Sequence, residues 1–228
     1  MNKSNIDAQR LADRIIYEDN HLIVLDKQAG ELVQADKTGD ACLADALKLY
    51  IKRTKGKPGN VFLGVTHRLD RPTMGLVIFA KTSKSLSRIN EMLRQGLIQK
   101  TYKALVEGRI PIGTTGELSH FLIKNQELNK SFVTHSNHRG AKPARLRYEC
   151  IKEFDTYSLL QIQLLTGRHH QIRCQLAHIG HCLKGDVKYG AKRPNPDGSI
   201  GLQAFRLDFI HPVSKKPISC VSRQSLAP

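Results

Sequence analysis

The segment His67-Arg68-Leu69-Asp70-Arg71-Pro72-Thr73-Met74-Gly75-Leu76 places a carboxylate between two arginines, beside Pro and Gly. Apolar runs at Val61–Val65 and Leu76–Ala80 flank it, so the spacing predicts a polar loop held by buried strands. Neighbouring guanidinium groups favour an ionised carboxylate. Such a group suits nucleophilic attack or proton removal. Spacing alone favours the plainer reading, a turn aspartate in a surface ion pair. A second segment, Thr166-Gly167-Arg168-His169-His170-Gln171-Ile172-Arg173, opens a late helical pattern. Polar side chains crowd its first turn, where free backbone N–H groups can hold phosphate. Arg173 follows the apolar Ile172 and so lies at the edge of the buried face. It either aims inward at a carboxylate or snorkels to solvent.

The elements that must position these residues are readable from periodicity. Leu22–Asp26 is expected as a strand, followed by a turn at Lys27–Gly30. Ala41–Arg53 is expected as a helix, with Leu43, Ala46, Leu47, Tyr50 and Ile51 apolar. Val61–Val65 and Leu76–Ala80 are expected as buried strands. Ser83–Gln95 is expected as a helix capped by Ser83 or Ser85 and ended by Gly96. Tyr102–Glu107 is a strand candidate. Leu118–Ile123, Ser131–His135, Ala144–Phe154 and Tyr157–Leu165 also have strand patterns, the last two joined by an Asp155-Thr156 hairpin. A helix is expected from about His169 to Ile179, with Ile172, Leu176 and Ile179 as its stripe and Gly180 as its cap. Leu202–Ile210 is expected as the last strand. Helices interspersed among strands predict an α+β fold with a large, mainly antiparallel sheet. No Pro/Gly/Ser-rich linker divides the chain, so a single domain over residues 1–228 is expected.

Composition narrows the partners. The 228 residues carry 36 Lys plus Arg against 20 Asp plus Glu, a net charge of +16. That field draws in polyanions, nucleic acid foremost, and its spread through folded segments favours a groove over a basic tail. No apolar run approaches the roughly 18 residues of a membrane-spanning helix. Met1–Arg14 is polar and has no signal-peptide core. The five cysteines include no CxxC pair and their number is odd, which fits reduced thiols in the cytoplasm. Cys174, His178, His181 and Cys182 are close in sequence but match no common zinc spacing, so no metal is expected.

Together the motifs resemble the RluA family of RNA pseudouridine synthases. The family pattern H-R-L-D-x-x-T-S-G-L is similar to His67–Leu76, with Asp70 on the catalytic aspartate. K-x-Y-x-A-x-V is similar to Lys100–Val106, and T-G-R-x-H-Q-I-R to Thr166–Arg173. The following L-A-H-I-G resembles Leu176–Gly180, and G-D-x-x-Y-G resembles Gly185–Gly190. An early K-P-x-G stretch resembles Lys27–Gly30, and a late F-x-H-P resembles Phe209–Pro212. The matches keep their order over roughly residues 17–217. Met74 stands where the family usually has Ser, Gln28 where it has Pro, His169 where it has Thr or Ser, and Lys184 where many members have Leu. The frequent N-terminal S4 RNA-binding domain is not expected, since about 16 residues precede the first strand.

The resemblance implies a pseudouridine-synthase-like fold around a central RNA-binding cleft, and an isomerisation without cofactor. A uridine N1–C1′ bond breaks, the base turns, and a C5–C1′ bond forms. Asp70 is then the catalytic carboxylate, acting at C1′, at the pyrimidine or on a sugar proton. The family pattern pairs Arg173 with it. Tyr102 is expected to stack on the target base, and Leu183 to form part of the apolar wall. Arg68 is expected to fill the space of a flipped base. Lys27, His67, Arg168, His170 and Gln171 complete the expected substrate contacts. The expected partner is ribosomal RNA, tRNA or both, and the expected state is a monomer with no membrane association. The competing readings are a non-catalytic RNA-binding or ribosome-assembly module, and a hydrolase using Asp70 with a histidine.

Overall fold

The computed structural model describes residues 11–56 and 58–228. The first ten residues of the polar N-terminal stretch lie outside them. The chain divides into two compact units. Unit one runs up to Ile98 and resumes over Arg206–Gln224, and unit two comprises Gln99–Phe205 and Ser225–Pro228. Every strand ladder described below is antiparallel, and the elements give the expected α+β class.

In unit one, β1 (Ile15–Glu18) pairs with β2 (Leu22–Lys27), and β2 pairs with β4 (Met74–Ala80) in the register Leu22↔Ala80 to Lys27↔Gly75. β2 and β4 are apolar at nearly every position because both of their faces are covered. Ile23, Leu25, Val77 and Phe79 point to one side. There they meet Leu43, Leu47 and Ile51 of helix α1 (Leu43–Thr54). Leu22, Val24, Leu76, Ile78 and Ala80 point to the other side and meet Ile89 of helix α2 (Ser83–Arg94). Leu207 and Phe209 join that second core from β10 (Leu202–Ile210), a strand that begins in unit two. β11 (Pro217–Val221) pairs with β10 in the register Arg206↔Val221 to Ile210↔Pro217.

Sequence expectations are corrected here at four points. The strand expected over Val61–Val65 is reduced to β3 (Gly64–Val65), since only these two residues pair with β4. Helix α2 is capped by Thr82, not by Ser83 or Ser85; its hydroxyl accepts the Ser85 N–H at 3.1 Å. β1 and β11 were not anticipated. Gly96 does end α2, at φ +69°.

Unit two is an antiparallel array of long strands. β5 (Gln99–Glu107) pairs with β9 (Tyr157–Leu164), which pairs with β8 (Lys142–Glu153). β6 (Thr115–Asn125) pairs with both β8 and β7 (Lys130–Thr134). Helix α3 (Gln171–His178) packs on β6 and β7. It starts two residues later than expected because His170 adopts a left-handed conformation at φ 51° and ψ 27°. A short 3-10 turn, Val187–Tyr189, follows. Among the described residues, no helix is long and apolar enough to cross a membrane.

Candidate active site

Asp70 sits half-buried on the loop between β3 and β4 of unit one. Two sets of bonds hold that loop. At its base, the Thr66 hydroxyl donates to the Ile78 carbonyl at 2.7 Å, and the Ile78 N–H donates to His67 Nε2 at 3.1 Å. Thr66 and His67 thus continue the β3–β4 ladder with side chains. A backbone N–H only donates, so His67 Nε2 is the unprotonated nitrogen. At the tip, Thr73 N–H donates to the Asp70 carbonyl at 3.0 Å, closing a turn. Met74 opens β4, and Gly75 follows at φ +110°, a region that disfavours any side chain.

Lys27 is the second brace. Its side chain is fully buried at the end of β2. Its ammonium lies 2.6 Å from the carbonyl oxygen of Thr73, 3.0 Å from those of Gln28 and Arg71, and 3.3 Å from that of Asp70. Burial lowers its pKa to about 8, against the opposing pull of Glu31 and Asp70. Lys27 was expected to touch substrate. Instead it is spent on the loop backbone. The guanidinium of Arg71 was expected beside the Asp70 carboxylate. It instead donates to the Gly30 carbonyl at 3.0 Å and pairs with Asp40 at 2.9 Å. Arg68 is exposed.

In unit two, Arg173 is buried and forms a two-point ion pair with Asp186. Its Nε lies 2.7 Å from Oδ2, and its Nη2 lies 2.8 Å from Oδ1. The snorkelling alternative is thereby excluded. The Tyr189 ring lies 5.1 Å from the guanidinium carbon. Nη1 reaches His170 Nε2 at 3.1 Å, and His170 Nδ1 reaches Tyr189 Oη at 3.0 Å. An arginine only donates, so this contact makes Nε2 the acceptor of a neutral imidazole that carries its proton on Nδ1. The His169 ring stacks on His170 at 3.8 Å. Burial also raises the pKa of Tyr189.

Gln171 is buried at the start of α3. Its Oε1 accepts from Thr166 Oγ1 at 2.8 Å and from Arg168 N–H at 3.0 Å, and its amide nitrogen donates to the Arg145 carbonyl at 3.0 Å. His170 and Gln171 are therefore internal supports here, where substrate contacts were expected. Arg168 is half-buried and spends its Nε on the Pro143 carbonyl at 2.8 Å. Tyr102 lies on β5 opposite Ile162 of β9 and is 8% exposed. Leu183 is fully buried and bridges to Val106 of that same strand β5. Lys184 lines a cavity of about 630 Å³ with Arg109, Lys192 and Arg193. Its Nζ bonds the Ala227 carbonyl at 3.2 Å.

His178 meets the His120 ring edge-on at 5.0 Å, and Cys182 Sγ donates to the Tyr189 carbonyl at 3.0 Å. Among the described residues, no three His, Cys, Asp or Glu gather as a metal site. The structure thus ties Lys27, His67 and Asp70 to one loop of unit one, and His170 and Arg173 to one cluster of unit two. Sequence reasoning quoted Asp186 and Tyr189 within a motif but gave them no role. An acidic residue between glycine-rich turns, just past an arginine-bearing helix, was the available signal.

Residues 21–178 match the family described as RNA pseudouridylate synthase. The chain is 35% identical over 212 residues to the ribosomal large subunit pseudouridine synthase C of Buchnera aphidicola subsp. Acyrthosiphon pisum, covering 90% of this chain and 65% of that one. It is 31% identical over 229 residues to the ribosomal large subunit pseudouridine synthase D of Nitrosomonas europaea, covering 93% and 62%. It therefore spans a little under two thirds of the length of these two relatives. Among solved structures, human RNA pseudouridylate synthase domain containing 4 superposes with a TM-score of 0.78 at 21% identity, covering 96% of this chain and 91% of that one. Human RNA pseudouridylate synthase domain containing 1 gives 0.73 at 21% identity, covering 96% and 85%. At that identity the likeness is one of fold.

Proposed function

The chain belongs to the RNA pseudouridylate synthase family, and from that premise we propose that it converts uridine in structured RNA to pseudouridine, with Asp70 as the catalytic carboxylate. The observation that carries this is the placement of Asp70. It is a half-buried carboxylate on a turn whose backbone is fixed by the buried Lys27 ammonium. A reacting group gains most when its position is settled before substrate arrives. The names of the relatives point to large-subunit ribosomal RNA as the substrate class, and tRNA is the second candidate.

The chemistry is balanced without an added reagent. The N1–C1′ bond of the uridine breaks, the C5–C1′ bond forms, the C5 proton leaves to a base or to water, and N1 takes up one proton in return. A carboxylate serves this by adding to C1′, adding to the pyrimidine, or taking a sugar proton, and each route needs it ionised. Tyr102 supplies an aromatic face for the base, where stacking contributes roughly 1–3 kcal/mol. Arg173 supplies a fixed positive charge, oriented by Asp186. A uridine in a stem must leave its stack to react, at a cost of a few kcal/mol, and Arg68 fills the vacated space. The net charge of +16 concentrates the polyanion at the surface. We read the chain as one catalytic domain, monomeric and cytoplasmic.

The test is product analysis of RNA labelled with carbon-14 in the uracil ring. Retention of all label in the polymer, part of it as pseudouridine, is the expected result. Release of free uracil would make the protein a glycosidase. Binding with no product would make it an RNA-binding module.

A further inference from the structure

The carboxylate of Asp26 is 3% exposed on β2, where burying a charge is expensive without strong partners. Its partners come from the far end of the chain. The Ser222 hydroxyl lies 2.8 and 2.9 Å from its two oxygens. The Arg223 N–H donates to Oδ2 at 2.7 Å, and the Gln224 amide donates to Oδ1 at 2.6 Å. None of these three donors is a cation. Among the described residues, no ion pair holds the carboxylate there. The same Gln224 amide nitrogen also lies 2.9 Å from the carbonyl oxygen of Lys27.

Lys27 is the next residue along β2, and consecutive strand residues point to opposite faces. Asp26 faces the C-terminal segment, while Lys27 sends its ammonium to the carbonyls of Asp70, Arg71 and Thr73. The dipeptide Asp26-Lys27 thus connects the two. One end is clasped by Ser222–Gln224, and the other holds the backbone that carries the catalytic carboxylate. The ladder of β2 with β4 ends at Lys27↔Gly75, so Lys27 is the last residue of β2 that the sheet itself holds.

We propose that Ser222 and Gln224 are positioning residues for the Asp70 loop, acting through Asp26 and Lys27. This rests on the reading of Asp70 as the reacting carboxylate. The clasp touches no reacting atom. It sets where the end of β2 lies, and so where three loop carbonyls find their common donor. Loosening it should leave RNA binding intact and slow the chemical step.

The experiment compares wild type, Gln224→Ala, Ser222→Ala and Asp70→Asn in the full chain. The probe is C5-tritiated large-subunit ribosomal RNA made by transcription, with enzyme in excess. Gln224 is partly exposed near the chain end, so its truncation removes few packing contacts. The expected result for Gln224→Ala is a maximal single-turnover rate lowered about tenfold per folded molecule. The half-saturating enzyme concentration should stay within twofold, and amide exchange should quicken over Asp70–Thr73 but not in α2. A role confined to stability would lower the melting temperature and leave the rate per folded molecule and the loop exchange unchanged. That outcome overturns the proposal. Failure of both clasp variants to fold would overturn it as well, because the clasp would then hold up the whole unit. No tritium release by wild type would instead refute the reading of Asp70, whatever the clasp variants do.

Discussion

Arg173 and Asp186 oppose each other in a two-point ion pair, with side chains 6% and 1% exposed. Removing one partner of a buried pair leaves the other's charge desolvated, which typically costs about 3–5 kcal/mol. Asp186→Ala should therefore destabilise the protein by roughly that amount. Asp186→Asn keeps the shape and one acceptor and should cost less. Urea unfolding of both variants checks this. A loss under about 1 kcal/mol for Asp186→Ala would show that the pair is not the anchor of Arg173.

Lys27→Met keeps the apolar stem of the side chain and deletes its ammonium. The Asp70 carbonyl retains the Thr73 N–H and the Arg71 carbonyl retains the Gly30 N–H, whereas the Gln28 and Thr73 carbonyls lose a close donor. Stability should fall by about 1–3 kcal/mol. The single-turnover rate should fall further, by about 10- to 100-fold, because the loop backbone is freed. Unfolding curves and rapid-quench kinetics separate the two effects. Equal rates in variant and wild type would remove Lys27 from the positioning account.

Lys27 also gives a pH dependence. Burial lowers its pKa from the ordinary 10.5 to about 8 in the folded chain. Between those values the unfolded chain holds a proton that the folded chain has lost, so this group makes stability rise with pH above about 8. Below pH 8 both states are protonated, and the cost of burying the charge is constant. The neutral amine grips the loop carbonyls less well. The rate at saturating RNA should therefore decline from pH 7.5 to 9 with no loss of stability from this source. Lys27→Met should show no such decline. A decline of the same shape in that variant would assign it to another group.

Arg68 is exposed on the loop that carries Asp70. If it stacks in the space of the departed base, Arg68→Ala loses a contact worth roughly 1–3 kcal/mol. Turnover at subsaturating RNA should fall about tenfold or more, while the saturating rate changes less than about threefold. Unchanged turnover at low RNA would exclude that role.

The supporting strands were legible because burial on two faces writes an uninterrupted apolar run, as in Leu22–Leu25 and Leu76–Ala80. The short strand β1 and the edge strand β11 carry weaker patterns, and Pro217 opens the latter. Thr82 was missed as the α2 cap because three hydroxyl residues crowd that turn and only geometry selects one. In the candidate site, Asp70 and Arg173 stood out by residue type and context. The residues that hold Arg173 and Asp26 did not. Asp186 lies 13 residues beyond Arg173, outside its helix, and Ser222 lies 196 residues from Asp26. Spacing encodes the face of an element, not which distant loop folds over it. Lys27 illustrates the same limit. The family resemblance offers it as a substrate contact, and only the fold turns it inward.

Asp70 as the reacting group is open to a single comparison. The most direct measurement is tritium release from C5-labelled total RNA, taken from cells lacking the protein, with wild type and Asp70→Asn side by side. Each protein is shown to be folded by circular dichroism and to bind RNA. Release by wild type and none by Asp70→Asn is expected, with RNA affinities within about tenfold of each other, since one carboxylate adds little to phosphate contacts. Release by Asp70→Asn at the wild-type rate, or no release by a wild type that binds the RNA, would contradict that role for Asp70.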